Sequence, residues 1–90
     1  PAVLDFAPDA VAHLAWEGVA GAERNAPDQW RNVCAALELV ELAARCGARH
    51  WVGVGSQAEY GPCASVISED APTRPTTLYG ASKLATGQLA

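Results

Sequence analysis

The stretch DQWRNVCAALELVELAARCGARHWVGVG, residues 28 to 55, decides the fold because a helical pattern runs directly into a strand pattern. Apolar residues recur in its first part at steps of three and four, which predicts an amphipathic helix from about Asp28 to Cys46. We expect Asn25 to cap the start of this helix and Gly47 to end it. The expected buried face consists of Trp30, Val33, Leu37, Val40 and Ala44.

Two short apolar runs flank this helix and have the character of strands. Residues 50 to 55, HWVGVG, carry β-branched valines and end in glycine, which predicts one strand. Residues 10 to 16, AVAHLAW, follow a Pro-Asp turn and predict another, buried on both faces. Strand, helix and strand in this order predict an α/β fold with a doubly wound parallel sheet, whose ligands bind at the carboxyl ends of the strands.

The remaining segments predict a binding loop followed by a second helix. Residues 56 to 77 contain several prolines and glycines and form a loop of the length usually tied to a binding site. Residues 78 to 90 predict a helix capped by Thr76 or Thr77. Because two parallel strands cannot form a complete sheet of this type, we expect the chain to be an internal fragment of a longer protein, and its first residues to be the tail of a helix that leads into the Pro8-Asp9 turn.

The composition argues against several classes of partner. The formal charge is −4 and the six basic residues are scattered, so we expect no nucleic-acid partner. No run approaches the roughly 20 apolar residues that cross a bilayer, and the chain opens without a secretory pattern. We therefore expect no membrane association and a cytoplasmic location.

The cysteines and aromatic residues have simple structural interpretations. Cys34, Cys46 and Cys63 lack the spacing of metal ligands, so we expect reduced, buried thiols and no metal site. We also expect three aromatic side chains to lie in the core, namely His13, Trp30 and Trp51.

The stretch LYGASKLATG, residues 78 to 87, contains the single lysine of the chain, four positions after a tyrosine. This spacing places Tyr79 and Lys83 on one helix face. An ammonium about 5 Å from a phenol stabilises the phenolate by roughly 3 kcal/mol at an effective dielectric of about 20. Ser56, at the carboxyl end of the second predicted strand, can supply the further hydrogen bond that an acid/base site needs. Each motif alone is ordinary on a surface helix or in a turn.

Four motifs occur together in a fixed order: HLAW at 13 to 16, NV at 32 and 33, GSQAEYG at 55 to 61 and PTTLYGASK at 75 to 83. In this order they resemble the extended short-chain dehydrogenase/reductases, and most closely the NAD-dependent epimerase/dehydratase family. The resemblance implies a Rossmann-like domain that binds NAD or NADP, a nucleotide-sugar substrate and a homodimeric parent protein. Residues 1 to 90 would then be part of that domain, without its N-terminal glycine-rich loop and without the C-terminal substrate domain.

The resemblance also implies roles for particular residues. Tyr79 would be the catalytic acid/base and would also contact the cofactor. Lys83 would assist Tyr79 in catalysis and hold the hydroxyls of the nicotinamide ribose, while Ser56 would bind the reacting oxygen. Further residues would lie beside the cofactor, namely Leu14 and Ala15 through their backbone and Asn32 near the active-site edge of its helix. Trp16 stands where the family usually has a small residue, which predicts a reshaped pocket beside the nicotinamide.

The loop after Ser56 narrows the implied chemistry. Dehydratases of the family carry an Asp-Glu pair where this chain has Gln57 and Ala58, so dehydration is disfavoured. Epimerases and ketoreductases are left, and GSQAEYG with HLAW is closest to the 4-keto-6-deoxy sugar reductases. The alternatives are a nucleotide-sugar 4-epimerase, a non-catalytic sensor that binds dinucleotide, and an inactive truncated product.

Overall fold

The computed structural model describes residues 2 to 90 and contains an α/β unit. Its strands pair in parallel, with Ala10 opposite His50 and His13 opposite Gly53. The predicted order of parallel strand, helix and parallel strand is therefore confirmed. The helices are α1 (Ala2–Phe6), α2 (Trp30–Arg45) and α3 (Leu78–Leu89), the strands are β1 (Ala10–His13) and β2 (His50–Gly53), and short 3-10 turns span Gly21–Asn25, Pro27–Gln29 and Gln57–Glu59.

Both strands are shorter than the sequence predicts, since β1 ends at His13 rather than residue 16 and β2 at Gly53 rather than residue 55. After β1 the chain runs toward α2, where the backbone of Glu17 bonds to the side chain of Asn32. The expected burial of the first strand on both faces was also wrong, because Ala10 and Ala12 are exposed and Val11 and His13 are only half-buried. Within residues 2 to 90 the elements packed on the sheet leave part of it open, and Val52 of β2 is 58% exposed as well.

The helix α2 is amphipathic as predicted, but its buried face is shifted. Ala36 and Ala43 are the buried residues, whereas Trp30 is 59% exposed and Ala44 is exposed as well. Small alanines on this face let α2 pack closely against α3 and β1. The helix starts two residues later than expected because Pro27–Gln29 forms a 3-10 turn. Gly47 follows its end with φ +75°, a left-handed conformation that glycine adopts readily.

Asn25 caps a different helix from the one predicted. The start of α2 has no side-chain cap, and the Oδ1 of Asn25 instead accepts a hydrogen bond of 3.2 Å from the backbone N–H of Leu78. Thr77 caps α3 as expected, its Oγ1 accepting from the N–H of Gly80 at 2.9 Å. The loop between β1 and α2 therefore helps to hold the start of α3.

The thiols and aromatic residues are less buried than the sequence suggested. Cys34 and Cys63 are exposed and Cys46 is only half-buried, so the expectation of buried cysteines was wrong. All three are free thiols. His13 and Trp51 are half-buried and stack on each other across the strands at 5.7 Å between ring centroids. Among residues 2 to 90, no helix combines the length and apolar character needed to span a bilayer.

Candidate active site

The helix α3 brings a buried lysine to the carboxyl end of β2. Lys83 is only 8% exposed, and its Nζ donates a hydrogen bond of 3.0 Å to the carbonyl oxygen of Val54, just beyond the strand. Tyr79, one turn earlier on α3, is 7% exposed. The predicted pair is thus buried at the sheet edge where parallel α/β folds bind their ligands.

The first turn of α3 packs directly on the turn that Ser56 begins. Gly80 is buried, and a Cβ at this position would overlap the carbonyl oxygen of Ala58 and lie 3.2 Å from the Cβ of Pro75. Because Gly80 has no side chain, the helix can approach this closely. Backbone packing therefore brings the segments of Ser56 and Tyr79 together, although 23 residues separate them in the sequence.

Ser56 has a structural role in its own turn. Its Oγ accepts a hydrogen bond of 3.1 Å from the N–H of Ala58, and its own N–H donates to the Oε2 of Glu59 at 2.7 Å. This reciprocal pair is a capping box, which fixes the direction of the hydroxyl. A hydroxyl that accepts one bond still has its own proton to donate. Ser56 can therefore donate to an oxygen in the adjacent groove.

Two side chains from the loop after β1 contact Tyr79. The Trp16 ring meets the tyrosine edge-on, with 6.1 Å between centroids and 90° between planes, and its face lies 4.2 Å from the Nζ of Lys83. The guanidinium of Arg24 lies 5.0 Å from the centre of the Tyr79 ring, and its Nε donates to the carbonyl oxygen of Val19. Two cations, Lys83 and Arg24, thus lie near this pair of aromatic rings.

Sequence reasoning missed the contact of Arg24 with Tyr79 because 55 positions separate the two residues. It treated Arg24 as one of six scattered charges, and no spacing pattern could have singled it out. The one available signal was its place in the loop that leaves the carboxyl end of a predicted strand, where α/β folds concentrate binding residues.

The loop that carries Trp16 is clamped by two polar side chains at the start of α2. Gln29 is 3% exposed, and its Nε2 donates to the carbonyl oxygens of Gly18 and Glu23 at 2.8 and 2.9 Å. Its Oε1 accepts from the Nε1 of Trp16 at 2.9 Å. Asn32 accepts from the N–H of Glu17 at 3.1 Å and donates to its carbonyl oxygen at 3.0 Å. The structure therefore places Asn32 at the expected edge, with its amide bonded to the loop.

The two residues expected to run beside a cofactor are open to solvent. Leu14 is 68% exposed and Ala15 is also exposed, directly after the last residue of β1. Both lie at the carboxyl end of the sheet, the edge at which Lys83 also lies. Both residues are thus exposed at the place where the resemblance puts the cofactor.

An open groove of ≈ 1060 Å³ lies along Ser56, its turn and the loop that continues to Glu69, and Arg24 borders it. Tyr79, Lys83, Leu14 and Ala15 do not line this groove. Such a volume is at the upper end of the range for small-molecule sites, roughly 300 to 1,000 Å³. Ser56, Gln57, Glu59 and Arg24 supply polar groups to its wall. Over the described part of the chain, no group of three or more His, Cys, Asp or Glu side chains is placed to hold a metal ion. The groove is suited to a polar organic ligand.

A parallel α/β unit with a buried tyrosine and lysine at its carboxyl edge has the architecture of part of a Rossmann-like domain. The chain belongs to the NAD dependent epimerase/dehydratase family, whose model matches residues 2–90. The family inferred from the ordered motifs is therefore confirmed.

Curated relatives of known activity are UDP-glucose 4-epimerases. The chain is 40% identical over 80 residues to the Streptomyces lividans enzyme and 37% identical over 79 residues to the Corynebacterium glutamicum enzyme. These matches cover 86% and 84% of this chain but 24% of each relative. The chain thus spans about a quarter of the length of these enzymes.

Solved structures give the same fold. The Bordetella bronchiseptica enzyme WbmG in complex with NAD and UDP matches with a TM-score of 0.73 and 29% identity. Its complex with NAD matches with a TM-score of 0.75 and 30% identity. Each match covers 97% of this chain and 28% of the solved chain. The expectation of a partial Rossmann-like α/β fold is confirmed.

Proposed function

We propose that this chain is part of an NAD-dependent enzyme that epimerises a UDP-linked hexose at C4. The relatives described above are UDP-glucose 4-epimerases, and WbmG was crystallised with NAD and UDP. The observation that carries the proposal is the buried pair of Tyr79 and Lys83, with Lys83 bonded to Val54 at the carboxyl edge of the sheet. This arrangement supports acid/base chemistry beside a bound dinucleotide.

We propose that residues 1 to 90 act together with further parts of a longer enzyme. Matches that cover 24% and 28% of the relatives support an assignment of residues 1 to 90 to part of one NAD-binding domain. The glycine-rich phosphate loop and the substrate domain would be supplied by other parts of the same polypeptide. A homodimer is proposed for that full-length enzyme, to be tested by light scattering.

The residues at the edge fit a nicotinamide dinucleotide. The ammonium of Lys83 has three N–H donors, of which one is directed to the Val54 carbonyl, so others can bond to ribose hydroxyls. Leu14 and Ala15 are exposed at the same edge. When bound there, NAD supplies a reversible acceptor for the hydride on C4 of the sugar.

The chain's own side chains would handle the proton of the C4 hydroxyl. Tyr79 would accept this proton as the carbon is oxidised and return it to the oxygen when the carbon is reduced from its opposite face. Ser56 would donate its free O–H to the same oxygen. Lys83, one turn along the same helix, and Arg24, whose guanidinium lies 5.0 Å from the centre of the Tyr79 ring, would supply positive charge near Tyr79 while it carries the negative charge.

The preference for a 4-keto-6-deoxy sugar reductase has no support among the relatives described here, whereas the epimerase alternative does. An epimerase regenerates its cofactor in each cycle, whereas a reductase consumes one reduced nicotinamide per product. The two chemistries are therefore separated by their stoichiometry.

The test uses the full-length enzyme with UDP-glucose and NAD. We expect UDP-galactose to accumulate until it reaches equilibrium with UDP-glucose, as measured by chromatography of the sugar nucleotides. The nicotinamide absorbance should show no net change over the same period. A folded enzyme that yields no UDP-galactose, or that oxidises NADH stoichiometrically with a 4-keto-6-deoxy sugar nucleotide, would contradict the proposal.

A further inference from the structure

The Trp16 indole contacts both members of the proposed acid/base pair, which the family pattern of a small residue at this position does not require. We propose that Trp16 is a positioning residue that holds the Lys83 ammonium against the sheet edge and fixes the ring of Tyr79. This inference rests on the proposed function, since it concerns the geometry of that site.

The indole presents different surfaces to its two neighbours. Its face lies 4.2 Å from the Nζ of Lys83, well within the range in which a ring attracts a cation. Its plane is perpendicular to that of Tyr79, the edge-to-face arrangement that aromatic pairs favour. One side chain thus constrains the phenol and the ammonium together.

The indole is itself held in place. Its Nε1 donates to the Oε1 of Gln29 at 2.9 Å, and Gln29 is 3% exposed with both of its amide hydrogens bonded to the same loop. A buried and fully bonded partner fixes the rotation of the ring. The chain of contacts therefore runs from α2 through Gln29 and Trp16 to the side chains of α3.

A lysine needs this support because its stem is flexible. The ammonium of Lys83 sits at the end of a four-carbon chain and has one hydrogen bond, to the Val54 carbonyl. The indole face provides a second contact and takes no N–H away as a hydrogen-bond donor. Lys83 is thereby held with donors still available for the ribose of a bound cofactor.

A double-mutant cycle on NADH affinity tests the functional part of the inference. Dissociation constants are measured for the full-length enzyme as wild type, Trp16→Leu, Lys83→Met and the double variant. We expect Trp16→Leu to weaken binding by about fivefold, the cost of losing a cation–π contact. In the Lys83→Met background, Trp16→Leu should have no further effect, because its role acts through Lys83. If Trp16→Leu weakens NADH binding by the same factor in the Lys83→Met background as in the wild type, the inference is overturned.

Two further variants separate positioning from general packing. Trp16→Phe keeps an aromatic face for the ammonium and should bind NADH more tightly than Trp16→Leu. Trp30→Leu is the matched control, since Trp30 is 59% exposed and packs on Arg31, and it should bind like wild type. If Trp16→Phe binds as weakly as Trp16→Leu, the aromatic face is not what matters.

A measurement without cofactor distinguishes failure of the inference from failure of the proposed function. Lysines of the full-length enzyme are reductively methylated with ¹³C, and the Lys83 signal is assigned by Lys83→Arg. Methyl groups above the indole should resonate upfield in wild type and Trp30→Leu, and shift toward the random-coil position in Trp16→Leu. A random-coil position in the wild type overturns the positioning role. Absence of NADH binding by the wild type would instead overturn the proposed function.

Discussion

Replacement of Gly80 by alanine should destabilise α3, although the same change usually strengthens a helix. Alanine favours a helix interior over glycine by about 1 kcal/mol. At Gly80, however, the new Cβ would overlap the carbonyl oxygen of Ala58 and lie 3.0 Å from its carbonyl carbon and 3.2 Å from the Cβ of Pro75. Two of these atoms belong to backbone, which cannot move aside as a flexible side chain can.

The size of the effect follows from these contacts. Overpacking of a tight contact costs about 1 to 3 kcal/mol, which offsets or exceeds the propensity gain of about 1 kcal/mol. We therefore expect a net loss of up to about 2 kcal/mol in the free energy of unfolding, a factor of up to roughly 30 in the folding equilibrium. Because relief of the overlap moves α3 away from the Ser56 turn, kcat should also fall.

Gly87 provides a matched control in the same helix. A Cβ there would meet no atom within 4 Å among the described residues. Gly87→Ala should therefore stabilise the enzyme by up to about 1 kcal/mol and leave kcat unchanged. The assay is urea unfolding of the two full-length variants, followed by steady-state kinetics. Equal stability of Gly80→Ala and Gly87→Ala would refute the close approach of α3 to the Ser56 turn.

Three further substitutions test the contacts around the site. Gln29→Leu should lower the free energy of unfolding by about 2 to 3 kcal/mol, because it removes hydrogen bonds to Trp16, Gly18 and Glu23 that contribute roughly 1 kcal/mol each. The control Gln88→Leu, at an exposed position, should be nearly neutral in the same urea titration. Asn25→Ala should cost about 1 kcal/mol through the lost cap of α3, seen as faster hydrogen exchange of the Leu78 amide; unchanged exchange there would contradict the assignment. Arg24→Gln should lower kcat/KM about two- to fivefold, the value of an exposed cation–π contact, without changing stability, and an unchanged kcat/KM would exclude Arg24 from the site.

The helices could be predicted from the sequence because their signals are local. The apolar period of α2, its stop at Gly47 and the cap of α3 at Thr77 all depend on residues within a few positions of one another. The motif order predicted the family in the same way, since each motif is a short run. The pair of Tyr79 and Lys83 could be predicted for the same reason, since both residues lie on one turn of one helix.

Contacts between distant segments could not be predicted. Asn25 bonds to Leu78 across 53 residues, so its local role as a cap of α2 was the natural but wrong expectation. Both strands also end earlier than predicted, and the path after β1 depends on another distant contact, the bonds of the Glu17 backbone to Asn32 across 15 residues. The predicted burial of Trp30 was wrong because the periodicity shows that α2 has an apolar face but not which side of the helix turns toward the rest of the protein.

The most direct test of the account is the reactivity of the Tyr79→Phe variant. The full-length enzyme is loaded with NAD and mixed with UDP-glucose, and nicotinamide reduction is followed by stopped-flow absorbance, with NAD affinity measured separately. Because the variant lacks the proton acceptor for the C4 hydroxyl, we predict that Tyr79→Phe binds NAD as wild type does. Its rate of nicotinamide reduction should fall by a factor of about 10² or more. A variant that reduces its nicotinamide at the wild-type rate would contradict the role of Tyr79.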